Sequence, residues 1–320
     1  MRILGTGCYL PKNILSNDDL QKLVDTSDEW ISTRTGIKNR HIAKGENTSD
    51  LATKAARTAL ENARIKAEDI QLIVVTTATP DAFVPGVAHK VLKNLGISQA
   101  MAFDINAACT GFIYGMDIVN SLMKAHQFKY ALVIGAEVLS KMVDWNDRNT
   151  CVLFGDGAGA VVLENIQGEN QIMYASCTAI PDVDEALSSG GLAVNNPFNT
   201  EEQDHFFLNM KGQDVFKFAV SKVCESVSVA LAKTGVDAQD VDYYVLHQAN
   251  GRILDYVAKK LQVPEEKIYS NIANTGNTSA ASIPIVLDVM NLRGKLKKGM
   301  KVVLTGFGAG LTYGTMIIEW

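Results

Sequence analysis

Three side chains far apart in the sequence, Cys109, His247 and Asn277, have surroundings that suit nucleophilic chemistry. Cys109 lies in DINAACTGFIYGM, after the apolar run MAFDI and at the opening of a helical pattern, TGFIYGMDIVNSLMKA. A helix N-terminus presents unpaired N–H groups and the positive end of the dipole, so the thiol pKa is expected to be lowered there. Ala107, Ala108 and Gly111 are small enough to let a substrate and backbone approach. A helix-opening cysteine can equally be a packing residue. His247 follows an apolar strand in VLHQAN, where a turn would present it at a sheet edge; a structural histidine is the alternative. Asn277 stands in NTGNTSAASIP, where an N-cap supported by Ser and Thr is the alternative. TGFGAGLTYGT follows the strand KVVL, and its bare backbone N–H groups suit an oxyanion. All three candidates read as strand-to-helix turns, which a duplicated fold would gather on one side of its sheets. That joint placement favours a site over coincidence.

The elements that must hold them alternate along the chain. LIVVTTA (72–78), MAFDI (101–105), YALVIGA (130–136) and AGAVVLE (158–164) read as strands, with helices such as VAHKVLKNLG between them. These strands are continuously apolar, which predicts sheets covered on both faces. The order then repeats. LATKAARTALENARIKAEDIQLIVV is echoed by AVSKVCESVSVALAKTGVDAQDVDYYVL, KVLKNLGI by YVAKKLQV, and SLMKAHQFKYALVIG by NLRGKLKKGMKVVLTG. Asp69 and Asp240 are separated by the same number of residues as Gly135 and Gly306, so the register survives the whole repeat. A period this long indicates a duplicated domain and not a solenoid. The joint is expected in the polar stretch Asn165–Gln171, dividing the chain into 1–165 and 166–320. Residues 181–204, with SSGG and NNPFNTEEQD, read as an irregular excursion. FGDGAGA lacks the GK[ST] of a phosphate loop and the spacing of a dinucleotide fingerprint, and reads as a structural turn between strands.

Bulk properties narrow the class. A chain of 320 residues buries enough surface to fold without disulfides or metal. Its formal charge of -5 argues against a surface that grips nucleic acid throughout. No apolar run is long enough to span a bilayer, and MRILGTGCYLP lacks the layout of a signal peptide. The five cysteines are scattered, with no CxxC pair, which excludes a zinc ribbon or disulfide framework and fits a reducing cytoplasm.

Taken together the motifs ILGTGCYLP, DTSDEWISTRTGI, AACTGF, DWNDRNT, FGDGAGA, LHQAN, GNTSAAS and GFGAGLTYG, in that order, resemble the β-ketoacyl-acyl-carrier-protein synthase III family over essentially the whole chain. The resemblance implies an α/β, thiolase-like five-layered α-β-α-β-α fold with mixed sheets, usually a homodimer. It implies a decarboxylative Claisen condensation that initiates fatty acid synthesis. Cys109 would take the acyl group of acetyl-CoA or another short acyl-CoA. Malonyl-acyl carrier protein would then lose CO2 to an enolate held by His247 and Asn277, giving a 3-oxoacyl carrier protein. Backbone N–H groups of Cys109 and Ala309 would form the oxyanion hole, and no metal or redox cofactor is implied.

The same resemblance assigns CoA binding to Trp30 with Arg148 at the adenine, to Arg34 near the phosphates, and to Asn250. It assigns Gln248, Ala249, Asn250, Gly251, Arg252 and Lys217 to the acyl carrier protein, with Lys259 and Lys260 near Arg252 on one helix face. Val84 and Phe307 fall to the acyl pocket. The chain departs from the pattern at Thr275, where some members have His, at Ala309 in place of Gly, and at Tyr313 in place of the more frequent Trp. Ala309 must therefore avoid positive φ. Val84 stands where a Phe of a partner subunit can wall the acyl pocket, so a roomier pocket is expected. A degradative thiolase would want a second cysteine in GFGAG, an elongating condensing enzyme a second His at Asn277, and a papain-like hydrolase a CGSCW context; none is present. A polyketide- or quinolone-forming relative, sharing Cys, His and Asn, is the runner-up. A non-catalytic thioester-binding protein is disfavoured by the intact trio.

Overall fold

The computed structural model describes residues 1–166, 168, 170–200 and 206–320. Two sheets organise the chain. The first runs in the order Arg2–Tyr9, Gly157–Glu164, Tyr130–Glu137, Leu72–Thr76, Met101–Ile105. Its first three strands pair antiparallel and its last two join in parallel. The second runs Ile172–Ala179, Thr312–Glu319, Lys301–Gly308, Tyr243–Leu246, again antiparallel except for a final parallel pair. The first sheet's last strand in sequence ends at Glu164 and the second sheet's first strand begins at Ile172. Within the joint expected between them, Gln167 and Glu169 lie outside the described residues.

Five layers result, because each sheet is covered on both faces. Helices Thr48–Ala63 and Val87–Leu95 pack on the outer face of the first sheet, and Gly212–Thr234 with Gly251–Leu261 on the outer face of the second. Between the sheets lie Gly111–His126 and Ser282–Leu292. Strand residues alternate accordingly: Leu72 and Val74 face the central layer, Ile73 and Val75 the outer helices. That double burial is the physical reason the strands read as unbroken apolar runs.

The duplication extends to backbone detail. One-turn helices Ala108–Thr110 and Ser279–Ala281 precede the two central helices at the same offset, and Ala108 (φ 45°) and Ser279 (φ 50°) both adopt the left-handed conformation. Asn106 Oδ1 accepts from Ala108 N–H at 3.0 Å, as Asn277 Oδ1 does from Ser279 N–H at 2.9 Å.

The symmetry breaks at one element. Asn277 was expected at a strand-to-helix turn, but it follows the four-residue helix Ile272–Thr275, and among the described residues the second sheet has no fifth strand there. That segment is drawn away by other partners. Ile272 is buried with Leu20, Ile31 and Ile37, and Ala273 C=O accepts from Lys38 N–H at 2.9 Å.

The stretch expected to be an irregular excursion carries two short ladders, Leu187–Ser188 with Asn209–Met210 and Asn195–Asn196 with Asn199–Thr200. Its residues 201–204 lie outside the described residues. Among the described residues no helix is long and apolar enough to cross a membrane.

Candidate active site

Cys109, His247 and Asn277 border one cavity of about 230 Å3, together with Phe307, Ala309 and Asn250. All three are buried. They arrive there from different elements: the turn after the first sheet's edge strand, the end of Tyr243–Leu246, and the loop before the second central helix. The Gly-rich turn completes the floor. A Cβ on Gly308 would come within 2.8 Å of Cys109 N and 3.1 Å of Cys109 Cβ, so only glycine lets this strand lie against the cysteine backbone. Thr312 Oγ1 ties the turn in place, donating to Ala309 C=O at 3.1 Å and pairing with Thr110 Oγ1 at 2.9 Å. Ala309 is outside the left-handed region, which Gly310 occupies instead at φ 132°.

The electrostatics correct one expectation. Burial pushes the Cys109 thiol up to about 12; a hydrogen bond from Ser279 works against this and the nearby Glu137 carboxylate adds to it. The expected depression at the helix N-terminus is outweighed because the sulfur is enclosed, with no cation among the described residues acting on it. Burial also drives His247 down to about 3, so the imidazole is neutral throughout the physiological range. Its Nδ1 lies 2.7 Å from Ser282 Oγ, and its ring meets Phe307 edge-on at 5.3 Å. The Asn277 carbonyl oxygen is committed to Ser279 N–H, which leaves its NH2 group as the donor.

Sequence patterning missed the supports. FGDGAGA is more than a turn: Gly155 N–H donates to Asn277 C=O at 3.0 Å, and Leu153 C=O, just before the motif, accepts from Asn277 N–H at 2.9 Å. Glu137, fully buried, accepts from Thr79 Oγ1 at 2.6 Å, Thr77 Oγ1 at 3.1 Å and Ser279 Oγ at 3.0 Å. Burial raises its pKa against these bonds. Leu187, within the excursion expected at 181–204, and Met210, just beyond it, both border the cavity. Glu137 closes an apolar strand pattern, and these long-range partners leave no local signal.

The remaining predicted residues divide. Trp30, half-buried, has two guanidinium groups over its ring, Arg34 at 4.7 Å and Arg148 at 5.3 Å. Asn250 caps the helix Gly251–Leu261, accepting from Arg252 N–H at 2.9 Å, and Ala249 borders the cavity beside it. A Cβ on Gly251 would come 3.5 Å from Gly36 Cα, and Arg252 donates from Nε to Thr33 C=O at 2.9 Å, joining that helix to the one bearing Trp30. Lys217, Lys259 and Lys260 are exposed.

Gln248 does not fit a carrier-protein contact. It is fully buried, donating to Leu246 C=O at 2.7 Å and accepting from Ser270 Oγ at 2.8 Å, so its amide is consumed in bracing the turn after His247. Phe307 borders the cavity as expected, whereas Val84 lies outside its own chain's cavity and is 84% exposed. Among the described residues no three His, Cys, Asp or Glu side chains gather in a metal-binding group.

A buried cysteine, histidine and asparagine enclosed between duplicated α/β halves define a condensing enzyme of the thiolase fold. Profiles described as 3-oxoacyl-[acyl-carrier-protein (ACP)] synthase III match residues 103–180, and as its C terminal region residues 231–320. The chain is 50% identical over 323 residues to beta-ketoacyl-[acyl-carrier-protein] synthase III of Clostridium novyi (strain NT), covering 100% of this chain and 99% of that protein. The crystal structure of 3-oxoacyl-[acyl-carrier-protein] synthase III from Aquifex aeolicus VF5 superposes with a TM-score of 0.93 at 45% identity, covering 100% and 99% of the two chains. The priming beta-ketosynthase of the R1128 polyketide biosynthetic pathway gives 0.92 at 33%, over 99% and 95%. The chain belongs to the β-ketoacyl-[acyl-carrier-protein] synthase III family of acyltransferases.

Proposed function

We propose that this enzyme condenses an acyl-CoA primer with malonyl-acyl carrier protein through an acyl-Cys109 intermediate, initiating fatty acid synthesis. The observation that carries the assignment of roles is the convergence of Cys109, neutral His247 and Asn277 on one enclosed cavity. In the first half-reaction the Cys109 sulfur attacks the thioester carbonyl carbon. The oxyanion is met by the backbone N–H groups of Cys109 and Ala309, and the thiol proton leaves, in net, with the CoA sulfur. Fixed donors matter here because the thiol is un-ionised at rest; stabilising the tetrahedral oxyanion lowers the barrier without a standing thiolate.

In the second half-reaction malonyl-carrier protein loses CO2, and the enolate oxygen receives hydrogen bonds from His247 Nε2 and the Asn277 NH2. Departure of CO2 supplies the electron pair, so two neutral donors suffice and no base is required. The enolate carbon attacks the acyl carbonyl, and Cys109 is released and reprotonated.

Around this centre Trp30 and Arg148 form the platform for the CoA adenine, with Arg34 near the phosphates and Asn250 at the cavity mouth. Ala249, Gly251, Arg252 and Lys217 offer the acidic carrier protein its docking face. Residues 1–165 supply the nucleophile and 166–320 the donors. Working as a homodimer, the chain would place Val84 against its partner's acyl pocket. Exposed Phe83 and Val84, and an edge strand, Met101–Ile105, with one paired side, support that arrangement. The cytoplasm is its compartment.

Product analysis with alternative extenders tests the reading. Acetyl-CoA with malonyl-carrier protein should yield a 3-oxoacyl carrier protein and CO2, whereas malonyl-CoA should serve poorly. Preference for malonyl-CoA would instead favour the polyketide-type relative.

A further inference from the structure

Ser282 occupies the first turn of the central helix Ser282–Leu292 and is 2% exposed. Among the described residues its hydroxyl has two partners, His247 Nδ1 at 2.7 Å and the Gln248 backbone N–H at 3.4 Å. The Gln248 N–H can only donate, so the Ser282 oxygen receives it. Were Nδ1 also protonated, the oxygen would face two donors, and its own buried proton would have no acceptor. With Nδ1 bare, the Ser282 O–H donates to it and every group is paired. A neutral imidazole carries one ring proton, which must then sit on Nε2. The helix bearing Ser282 is itself firmly seated: a Cβ on Gly159 would fall 2.5 Å from Ile285 N.

We infer that Ser282 is a positioning residue that holds His247 in its Nε2–H tautomer, so that the imidazole meets the cavity as a donor and not as a base. The inference rests on the proposed role of His247 at the enolate oxygen, and adds what enforces it. A mere space-filling role for Ser282 would leave the tautomer free. The consequence is selective: decarboxylation depends on the donor, whereas attack by Cys109 on acyl-CoA relies on backbone N–H groups and should tolerate loss of the hydroxyl.

Long-range 1H–15N NMR of protein labelled with [15N]histidine reads the tautomer without catalysis, using a His247→Gln sample to assign the signal. Wild type should give the Nε2–H pattern for His247; an Nδ1–H pattern would overturn the inference without any further variant. In Ser282→Ala the pattern should become mixed, and malonyl-carrier-protein decarboxylation should fall at least ~10-fold, as expected for a misplaced imidazole proton. Acetyl transfer to Cys109 should change less than about threefold, and Ser282→Thr should restore decarboxylation. An unchanged tautomer with decarboxylation within twofold of wild type would overturn the assignment. If wild type itself neither takes up acetyl nor decarboxylates the malonyl substrate, the reading of the whole site fails instead, and the two failures are thereby told apart.

Discussion

At the scale of single residues, the site holds its reactive groups uncharged. Burial disfavours the ionised form of both Cys109 and His247, raising one pKa and lowering the other. Burial therefore opposes an imidazolium–thiolate pair at rest and places the weight of reactivity on donors arranged around the substrate oxygen. Iodoacetamide offers no such oxyanion to stabilise, so its reaction with Cys109 reports the bare thiol. With the thiol near 12, the alkylation rate should climb about tenfold per pH unit from pH 6 through pH 9, followed by intact mass. A plateau near neutrality would contradict this account. The chemistry of Cys109, His247 and Asn277 was readable from their neighbours in sequence, because small residues, turns and flanking apolar runs are local. Ser279, Ser282 and Glu137 were not readable. Their importance comes from bonds to residues distant in the chain, and Ser opening a helix or Glu closing a strand has many ordinary explanations.

Elements act by bringing backbones unusually close. The strand Lys301–Gly308 lies so near Cys109 that a Gly308→Ala methyl would meet both its nitrogen and its Cβ. The neighbours are backbone and a short side chain, so relief requires moving the nucleophile or the Ala309 N–H. Acetyl transfer should fall on the order of 10²-fold, as for an ångström-scale misplacement, with a stability loss of about 1–3 kcal/mol. Single-turnover labelling and thermal melts check the two parts; unaltered acetyl transfer would mean the turn has no part in placing the oxyanion donors. The strands and helices of the repeat were legible because each sheet is covered on both faces and its apolar runs are continuous. The segment before Asn277 was not. By register it corresponds to the edge strand Met101–Ile105, yet Ile272 is claimed by the cluster around Leu20, Ile31 and Ile37, and tertiary packing overrides the repeat. Likewise Leu187 lies in a stretch of loop-like composition, and its place in the cavity wall depends on its pairing with Met210 from outside that stretch.

For the whole molecule, enclosing a neutral histidine couples the site to global stability. His247 has a folded-state pKa near 3 against an ordinary value of 6.5. A depressed value means that its contribution is present above pH 6.5 and is lost progressively as pH falls toward 3. At pH 4 this amounts to about 3 kcal/mol. His247→Asn, which cannot protonate, should therefore lose less melting temperature than wild type between pH 7 and pH 4, even if it starts lower. Parallel curves for the two proteins would contradict the assignment of a buried neutral imidazole. The five-layered arrangement explains why the centre is so enclosed: both central helices are buried between sheets, and the two one-turn helices that precede them carry Cys109 and Ser279 to the same cavity.

The central claim is that Cys109 carries the acyl group between two substrates, and intact mass spectrometry tests it most directly. Incubated with acetyl-CoA alone, wild type should gain one acetyl group, Cys109→Ala none, and Asn277→Ala one, with later condensation impaired on the order of 10²–10³-fold. Adding malonyl-carrier protein should discharge the label from wild type into a 3-oxoacyl product. An acetyl group that persists in Cys109→Ala, or one that malonyl-carrier protein leaves in place on wild type, would contradict the account.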